Sequence, residues 1–275
     1  MTSDRVPSLE LNDGRTIPQL GLGVYKVPES EVESVIRSAL EVGYRHIDTA
    51  TLYRNERGVG RAVRDAPVAR EDLFVTTKVW NDDHGYDRTL RAFDESMARL
   101  GLDYVDLYLI HWPVPSRDLY VDTWRALERL RADGRARSIG VSNFSPQHLE
   151  RVLAEGEVPP AVNQVELHPW LPQDEVRAFD QAHGIVTEAW SPLARGRVLG
   201  NPVLDRIAEK HGRTAAQVVL RWHVQQGTVV IPKSVTPARI RENFEVFDFE
   251  LDADDMSAIA RLSTGERTGR NPDLD

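Results

Sequence analysis

Four side chains stand out for the chemistry they can do together: Asp48, Tyr53, Lys78 and His111. A free tyrosine hydroxyl titrates near about 10 and is a poor acid at neutrality. A neighbouring ammonium stabilises the phenolate and lowers that value. An aspartate keeps the lysine charged and in place, and a histidine orients a carbonyl or assists proton transfer. Such a set protonates a developing alkoxide, which is what carbonyl reduction requires while a hydride arrives from a cofactor. Each residue alone has a plainer explanation. An Asp–Lys pair is often structural, and His111, standing before Trp112-Pro113, also reads as a satisfied core histidine.

The elements that must position these groups alternate along the chain. Strand-like runs fall at 19–23, 46–49, 74–78, 105–111, 136–141, 162–167, 185–190 and 228–232, with the longest interval before the last. Helical patterns fill the gaps. Val32, Val35, Ile36, Ala39 and Leu40 share one helical face, with Ser30 and Glu33 as a capping box and Gly43 as the stop. Ser145-Pro146 opens a helix that Gly156 ends; Thr214 with Gln217 is a second capping box, and Thr236-Pro237 repeats the cap-and-proline start. Residues 118–133 and 174–183 also read as helices. Eight β-then-α units predict an α/β fold, a single (β/α)8 TIM barrel, with a doubly wound open sheet as the alternative. Asp13-Gly14 lies between short β-prone runs and predicts an N-terminal β-hairpin that closes the barrel bottom. Extra helices follow the last strand, and the tail from Ser263 is irregular. No composition break divides the chain, so residues 1–275 are expected to form one domain.

In such a barrel the active site lies at the C-terminal strand ends. Asp48 closes the second run with Tyr53 just beyond; Lys78 closes the third and His111 the fourth. Ser142 and Asn143 follow the fifth, Gln164 and Glu166 sit on the sixth, Trp190 and Ser191 end the seventh, and Lys233 and Ser234 the eighth. Four proton-handling groups at successive strand ends are hard to assign to packing alone.

Composition narrows the rest. The 275 residues carry a net charge of −9, which argues against a general nucleic-acid or anionic-membrane binder. The chain has no cysteine, so disulfides, thiolate zinc and a cysteine nucleophile are excluded. The other histidines show no paired ligand spacing, and no metal site is expected. No run is apolar enough for a signal-peptide core or a membrane span, so a cytoplasmic protein is expected. No apolar helix face is left over for a partner, making a monomer the default. Gly21-Leu-Gly23 lacks the third glycine of a dinucleotide fingerprint, so a nucleotide would lie across the barrel mouth rather than on a Rossmann domain.

These residues stand in strings that resemble the aldo-keto reductases: Gly43-Tyr-Arg-His-Ile-Asp-Thr-Ala50 with Tyr53, Thr77-Lys-Val-Trp80, Asp106-Leu-Tyr-Leu-Ile-His-Trp-Pro113, Ile139-Gly-Val-Ser-Asn143, Asn163-Gln-Val-Glu166 and Ile231-Pro-Lys-Ser234. The resemblance runs from about Leu9 to Leu262. Leu11-Asn-Asp-Gly14, Asn55-Glu56 with Gly58-Val-Gly60, and Val246-Phe-Asp-Phe249 are most similar to the prokaryotic 2,5-diketo-D-gluconate reductase group.

The resemblance implies an NADPH-dependent reductase of small carbonyl compounds, dicarbonyls or keto-sugars among them. It implies Tyr53 as general acid, Lys78 as its pKa modifier, Asp48 as the partner of Lys78, and His111 as substrate orienter. Ser142, Asn143 and Gln164 would hold the nicotinamide carboxamide and Trp190 would stack on the ring. Ser191, Leu193 and Gly196 would line the pyrophosphate, Lys233, Ser234 and Arg239 the 2′-phosphate, and Asn243 the adenine. Charge chemistry independently favours NADPH over NADH, because Lys233, Arg239 and the helix start at Thr236-Pro237 together suit a dianion. The plainer alternative is that Arg239 and Arg241 form a solvated helix face. Val24, Tyr25, Trp80, His111 and Trp112 would line the substrate end, with Arg270 and the loop around Tyr120 reaching in. Two other functions compete: an NADPH-binding sensor on the same fold, and a Schiff-base lyase or aldolase using Lys78.

Overall fold

Strands buried on both faces must be covered on both, and in this chain helices do the covering. The computed structural model describes residues 6–274. The order is β1 (Ser8–Glu10), β2 (Thr16–Pro18), β3 (Gly21–Gly23), α1 (Glu29–Val42), β4 (His46–Asp48), α2 (Glu56–Arg64), β5 (Phe74–Val79), α3 (Tyr86–Leu100), β6 (Val105–Ile110) and α4 (Tyr120–Ala132). There follow β7 (Ala136–Ser142), α5 (Pro146–Glu155), β8 (Val162–Glu166), α6 (Asp174–Ala182), β9 (Val186–Trp190), α7 (Pro202–His211), α8 (Ala215–Gln225), β10 (Val229–Val230), α9 (Pro237–Phe244) and α10 (Ala253–Ala260).

Strands β3 to β10 pair in sequence order, every pair parallel. A parallel bridge between Leu20 and Val230, with Val230 N donating to Gln19 O at 3.0 Å, brings the two outer strands together. The sheet is thus a nearly closed barrel, and the open-sheet alternative falls. Hairpin β1–β2 seals the end where the strands begin: Leu11 and Ile17 pack with Phe74, Leu107, Ala161 and Val229.

All eight expected strands are present, the last reduced to two residues because Pro232 has no N–H to continue the ladder. The Ser30–Glu33 capping box is not formed. Helix α1 begins two residues earlier, with Pro28 in place of Ser30 at the cap position, and Glu33 instead accepts from Arg61 Nε at 3.1 Å. The boxes at Thr214–Gln217 and at Ser145, closed there by His148, do form. Thr236 precedes its helix without a side-chain cap bond. The long last interval holds two helices, α7 and α8, where the sequence reading saw one. Close approach of α2 to α3 depends on Gly60, where a Cβ would sit 1.9 Å from the Leu100 carbonyl oxygen.

Candidate active site

The strand ends deliver their polar groups to one cavity of about 1080 Å³. Asp48 ends β4 and Lys78 lies near the end of β5, both almost wholly buried. Lys78 Nζ donates to Asp48 Oδ1 at 2.7 Å, to Asp48 Oδ2 at 2.8 Å and to Thr49 O at 3.0 Å. An ammonium has three protons, and all three are engaged. Lys78 does not line the cavity. A Schiff base needs a neutral, accessible amine, so this geometry speaks against the lyase alternative.

Tyr53 ends a short 3-10 turn, Thr51–Tyr53, and lines the cavity. Its backbone N donates to Ala50 O at 2.9 Å, and the buried Asn55 two residues on pins the segment to its neighbours. Asn55 Oδ1 accepts from Thr49 Oγ1 at 2.7 Å, and its Nδ2 donates to Val24 O and Val27 O, both at 3.0 Å. Lys78 Nζ lies 5.2 Å from the centre of the Tyr53 ring. Burial first, then the charges of Asp48, Tyr25 and Glu188, push the phenol well above its ordinary pKa. This reverses the expected lowering by Lys78. The ammonium directs its protons at Asp48 and Thr49, so in the free protein Tyr53 keeps its proton firmly.

His111 follows β6 and meets the edges of Tyr53 and Trp80, with ring centres 5.8 and 5.1 Å away. Burial, the Lys78 charge and His84 hold it well below the usual imidazole range, so it is neutral. Its Nδ1 is buried without a partner among the described residues, which leaves Nε2 as the ring nitrogen that can meet the cavity.

Beside it, Asn143 adopts a left-handed backbone (φ 65°) after β7. Its Nδ2 donates to His111 O at 2.9 Å and to Ser142 Oγ at 3.1 Å, and its Oδ1 accepts from Trp190 Nε1 at 2.8 Å. Ser142 Oγ donates to Gln164 O at 2.8 Å. Gln164 Nε2 donates to Asp48 Oδ2 and to Glu188 Oε2, both at 2.8 Å. These bonds tie the strand ends into one network, and the lone pairs left over are acceptors.

The cavity continues past Trp190 to Ser191, Leu193 and Gly196, then to Lys233, Ser234, Arg239 and Asn243, all of which line it. Ser191, Ala194 and Arg195 hold positive φ, so this loop is bent back on itself at non-glycine positions. Lys233 and Arg239 are exposed, and neither takes part in an ion pair among the described residues. At the other end Tyr25, Leu52, Trp80 and Trp112 line the wall.

Val24 does not. It is fully buried while Gly23 and Tyr25, its neighbours, face the cavity, as alternation along an extended segment dictates. Tyr120 is also absent from the wall, being buried against Phe144 and His148. The loop before it does reach in, through Val114 and Arg117. Glu166 leaves the expected ring and anchors the tail. Its Oε1 accepts from Thr268 N at 2.6 Å and Thr268 Oγ1 at 2.5 Å, and its Oε2 from Gly269 N at 3.0 Å. That strap passes over Trp190, where a Cβ at Gly269 would lie 2.5 Å from the ring, and presents Arg270 and Leu274 to the cavity. Sequence reasoning missed Glu188, although its place two residues before Trp190 puts it on the same strand face.

The aldo/keto reductase family model matches residues 19–264. The chain belongs to the aldo/keto reductase family. An aldo-keto reductase of Mycolicibacterium smegmatis is 57% identical over 97% of both chains. The glyoxal reductase of Bacillus subtilis is 53% identical, over 97% of this chain and 96% of its own. Among solved structures, a Gox0644 mutant in complex with NADPH superimposes with a TM-score of 0.94 at 50% identity, covering 98% of each chain. Among the described residues of this aldo/keto reductase, no helix is long and apolar enough to cross a membrane.

Proposed function

We propose that this aldo/keto reductase reduces small aldehydes and ketones, dicarbonyls and keto-sugars among them, to alcohols with NADPH, Tyr53 acting as general acid. The observation that carries the reading is the meeting of Tyr53 and His111 at one cavity wall, ring centres 5.8 Å apart, above a buried Lys78–Asp48 pair.

The residues present fit the nucleotide. Lys233 and Arg239, exposed and without ion-pair partners among the described residues, suit the 2′-phosphate, with Ser234 and Asn243 beside them. Ser191, Leu193 and Gly196 form the wall for the pyrophosphate. Trp190 offers a ring face, and Ser142, Asn143 and Gln164 offer acceptors to a carboxamide N–H. Bound there, NADPH supplies the hydride.

The chain's own residues do the rest. A substrate oxygen seated between the Tyr53 hydroxyl and His111 Nε2 receives two hydrogen bonds that strengthen as negative charge grows on it. Tyr53 then gives up its proton to the alkoxide. Lys78 lies close enough to steady the phenolate left behind, and Asp48 keeps Lys78 charged. Tyr25, Trp80 and Trp112 exclude water and hold the substrate body. A single-domain monomer is the working unit proposed with this scheme.

The test is consumption of NADPH and, separately, NADH with methylglyoxal, phenylglyoxal, an aromatic aldehyde and 2,5-diketo-D-gluconate. Turnover with NADPH supports the reading and ranks substrate classes. Tight NADPH binding without turnover favours a sensor, and neither binding nor turnover refutes the cofactor assignment.

A further inference from the structure

The barrel interior holds one carboxylate that the scheme above does not use. Glu188, on β9, is completely buried. Its Oε2 accepts from Gln164 Nε2 at 2.8 Å, and the same nitrogen donates to Asp48 Oδ2 at 2.8 Å. A primary amide nitrogen carries two protons, so both are consumed. Asp48, paired with the Lys78 ammonium, decides which end is nitrogen, because an amide oxygen there would face its carboxylate; Glu188 Oε2 accepts the second proton as the carbonyl oxygen of the acid. The carbonyl Oε1 is therefore the end of Gln164 left to face a ligand, and Gln164 lines the cavity. On the far side, Glu188 Oε1 has no hydrogen-bond partner among the described residues and lies 3.7 Å from His46 Nε2.

We propose that Glu188 is a positioning residue: by taking the second proton of the Gln164 amide, it locks that amide with its oxygen toward the nicotinamide carboxamide N–H. The inference rests on the reading that Gln164 holds the carboxamide. Asp48 alone satisfies one amide proton. Without Glu188 the other is buried with no acceptor, and the amide turns to bring it to the cavity. A carboxamide N–H then meets a donor in place of an acceptor.

The test compares binding of NADP+ with that of its 3-acetylpyridine analogue, whose acetyl group has no N–H to offer, by titration calorimetry. Wild-type protein is expected to prefer NADP+ by about 10-fold or more, the scale of one hydrogen bond to a buried polar group. Glu188→Leu should abolish that preference by weakening NADP+ while leaving the analogue within about 2-fold. Glu188→Gln, whose amide oxygen can accept the same bond, should retain the preference. Should the leucine variant fail to fold, Glu188→Thr, too short to reach Gln164, carries the same expectation. A Glu188→Leu or Glu188→Thr variant that weakens both ligands equally, or keeps the preference, overturns the proposal, as does a Glu188→Gln variant that loses it. Gln164→Leu separates the two levels: if it too keeps the preference, the carboxamide assignment fails and the role of Glu188 fails with it. If it loses the preference and Glu188→Leu does not, only the role of Glu188 falls.

Discussion

The buried Lys78–Asp48 pair makes a quantitative demand on stability. Both side chains are at most 1% exposed, and Asp48 accepts two bonds from Lys78 and one from Gln164. Asp48→Asn keeps the shape and removes the charge, leaving an ammonium in the barrel interior. Breaking one side of a buried pair costs about 3–5 kcal/mol, against about 0–1 kcal/mol for an exposed one. With unfolding entropy of roughly 2.1 cal/mol/K per residue, a chain this long loses about 1.7 °C per kcal/mol, so Tm should fall by about 5–9 °C. Lys78→Met should also destabilise, by leaving Asp48 beside Glu188 without a cation. The double variant removes both charges, and its cost should be well below the sum of the singles. The assay is a double-mutant cycle by thermal and denaturant unfolding without nucleotide. Singles costing under about 1 kcal/mol, or a double equal to their sum, would refute the assignment of a dry, tightly coupled pair.

Three further outcomes follow from the site. Lys233→Ala and Arg239→Ala should each raise the Kd for NADPH by about 10-fold or more and leave that for NADH nearly unchanged; equal losses would remove the 2′-phosphate from these residues. Glu166→Ala should release the strap, seen as faster proteolysis after residue 266 and a higher KM with little change in NADPH affinity; unchanged proteolysis would mean that the tail is held elsewhere. Glu188→Gln should alter the pH dependence of stability. Burial and the Asp48 charge push the Glu188 carboxyl up to about 8, and Lys78, His46 and Tyr53 are the other groups facing it. A raised carboxyl pKa means that the folded state holds a proton the unfolded state gives up near its ordinary 4.5, so wild-type stability falls as pH rises from about 4.5 to about 8. The glutamine variant lacks this loss, and its Tm advantage should grow across that window and level off above it; a constant offset would contradict the raised value.

The barrel was legible because its strands are short β-prone runs at regular spacing, separated by helices whose apolar faces and caps follow a period near about 3.6. The gathering of Asp48, Tyr53 and His111 at one cavity, with Lys78 behind them, was legible for the same reason: strand ends share a mouth whatever their separation in sequence. What escaped depends on contacts that local pattern does not encode. Pro28 starts α1 ahead of Ser30. Val24 follows the one-residue alternation that turns it inward while Tyr25 turns out. Thr268 and Gly269 reach Glu166 across more than 100 positions, with no periodicity to announce it. Lys78 was expected to lower the Tyr53 pKa on residue types alone. The structure turns the direction round because burial first, and then the charges of Asp48, Tyr25 and Glu188, raise it.

The most direct test of the whole scheme is single-turnover oxidation of bound NADPH by methylglyoxal in wild type and Tyr53→Phe. Loss of a general acid costs about 10²–10⁴-fold in rate. The expected result is a fall of that size, with the Kd for NADPH unchanged within about 2-fold because Tyr53 adds no charge to the nucleotide cradle. A Tyr53→Phe enzyme that still turns over within about tenfold of wild type would contradict the assignment of Tyr53 as the proton donor.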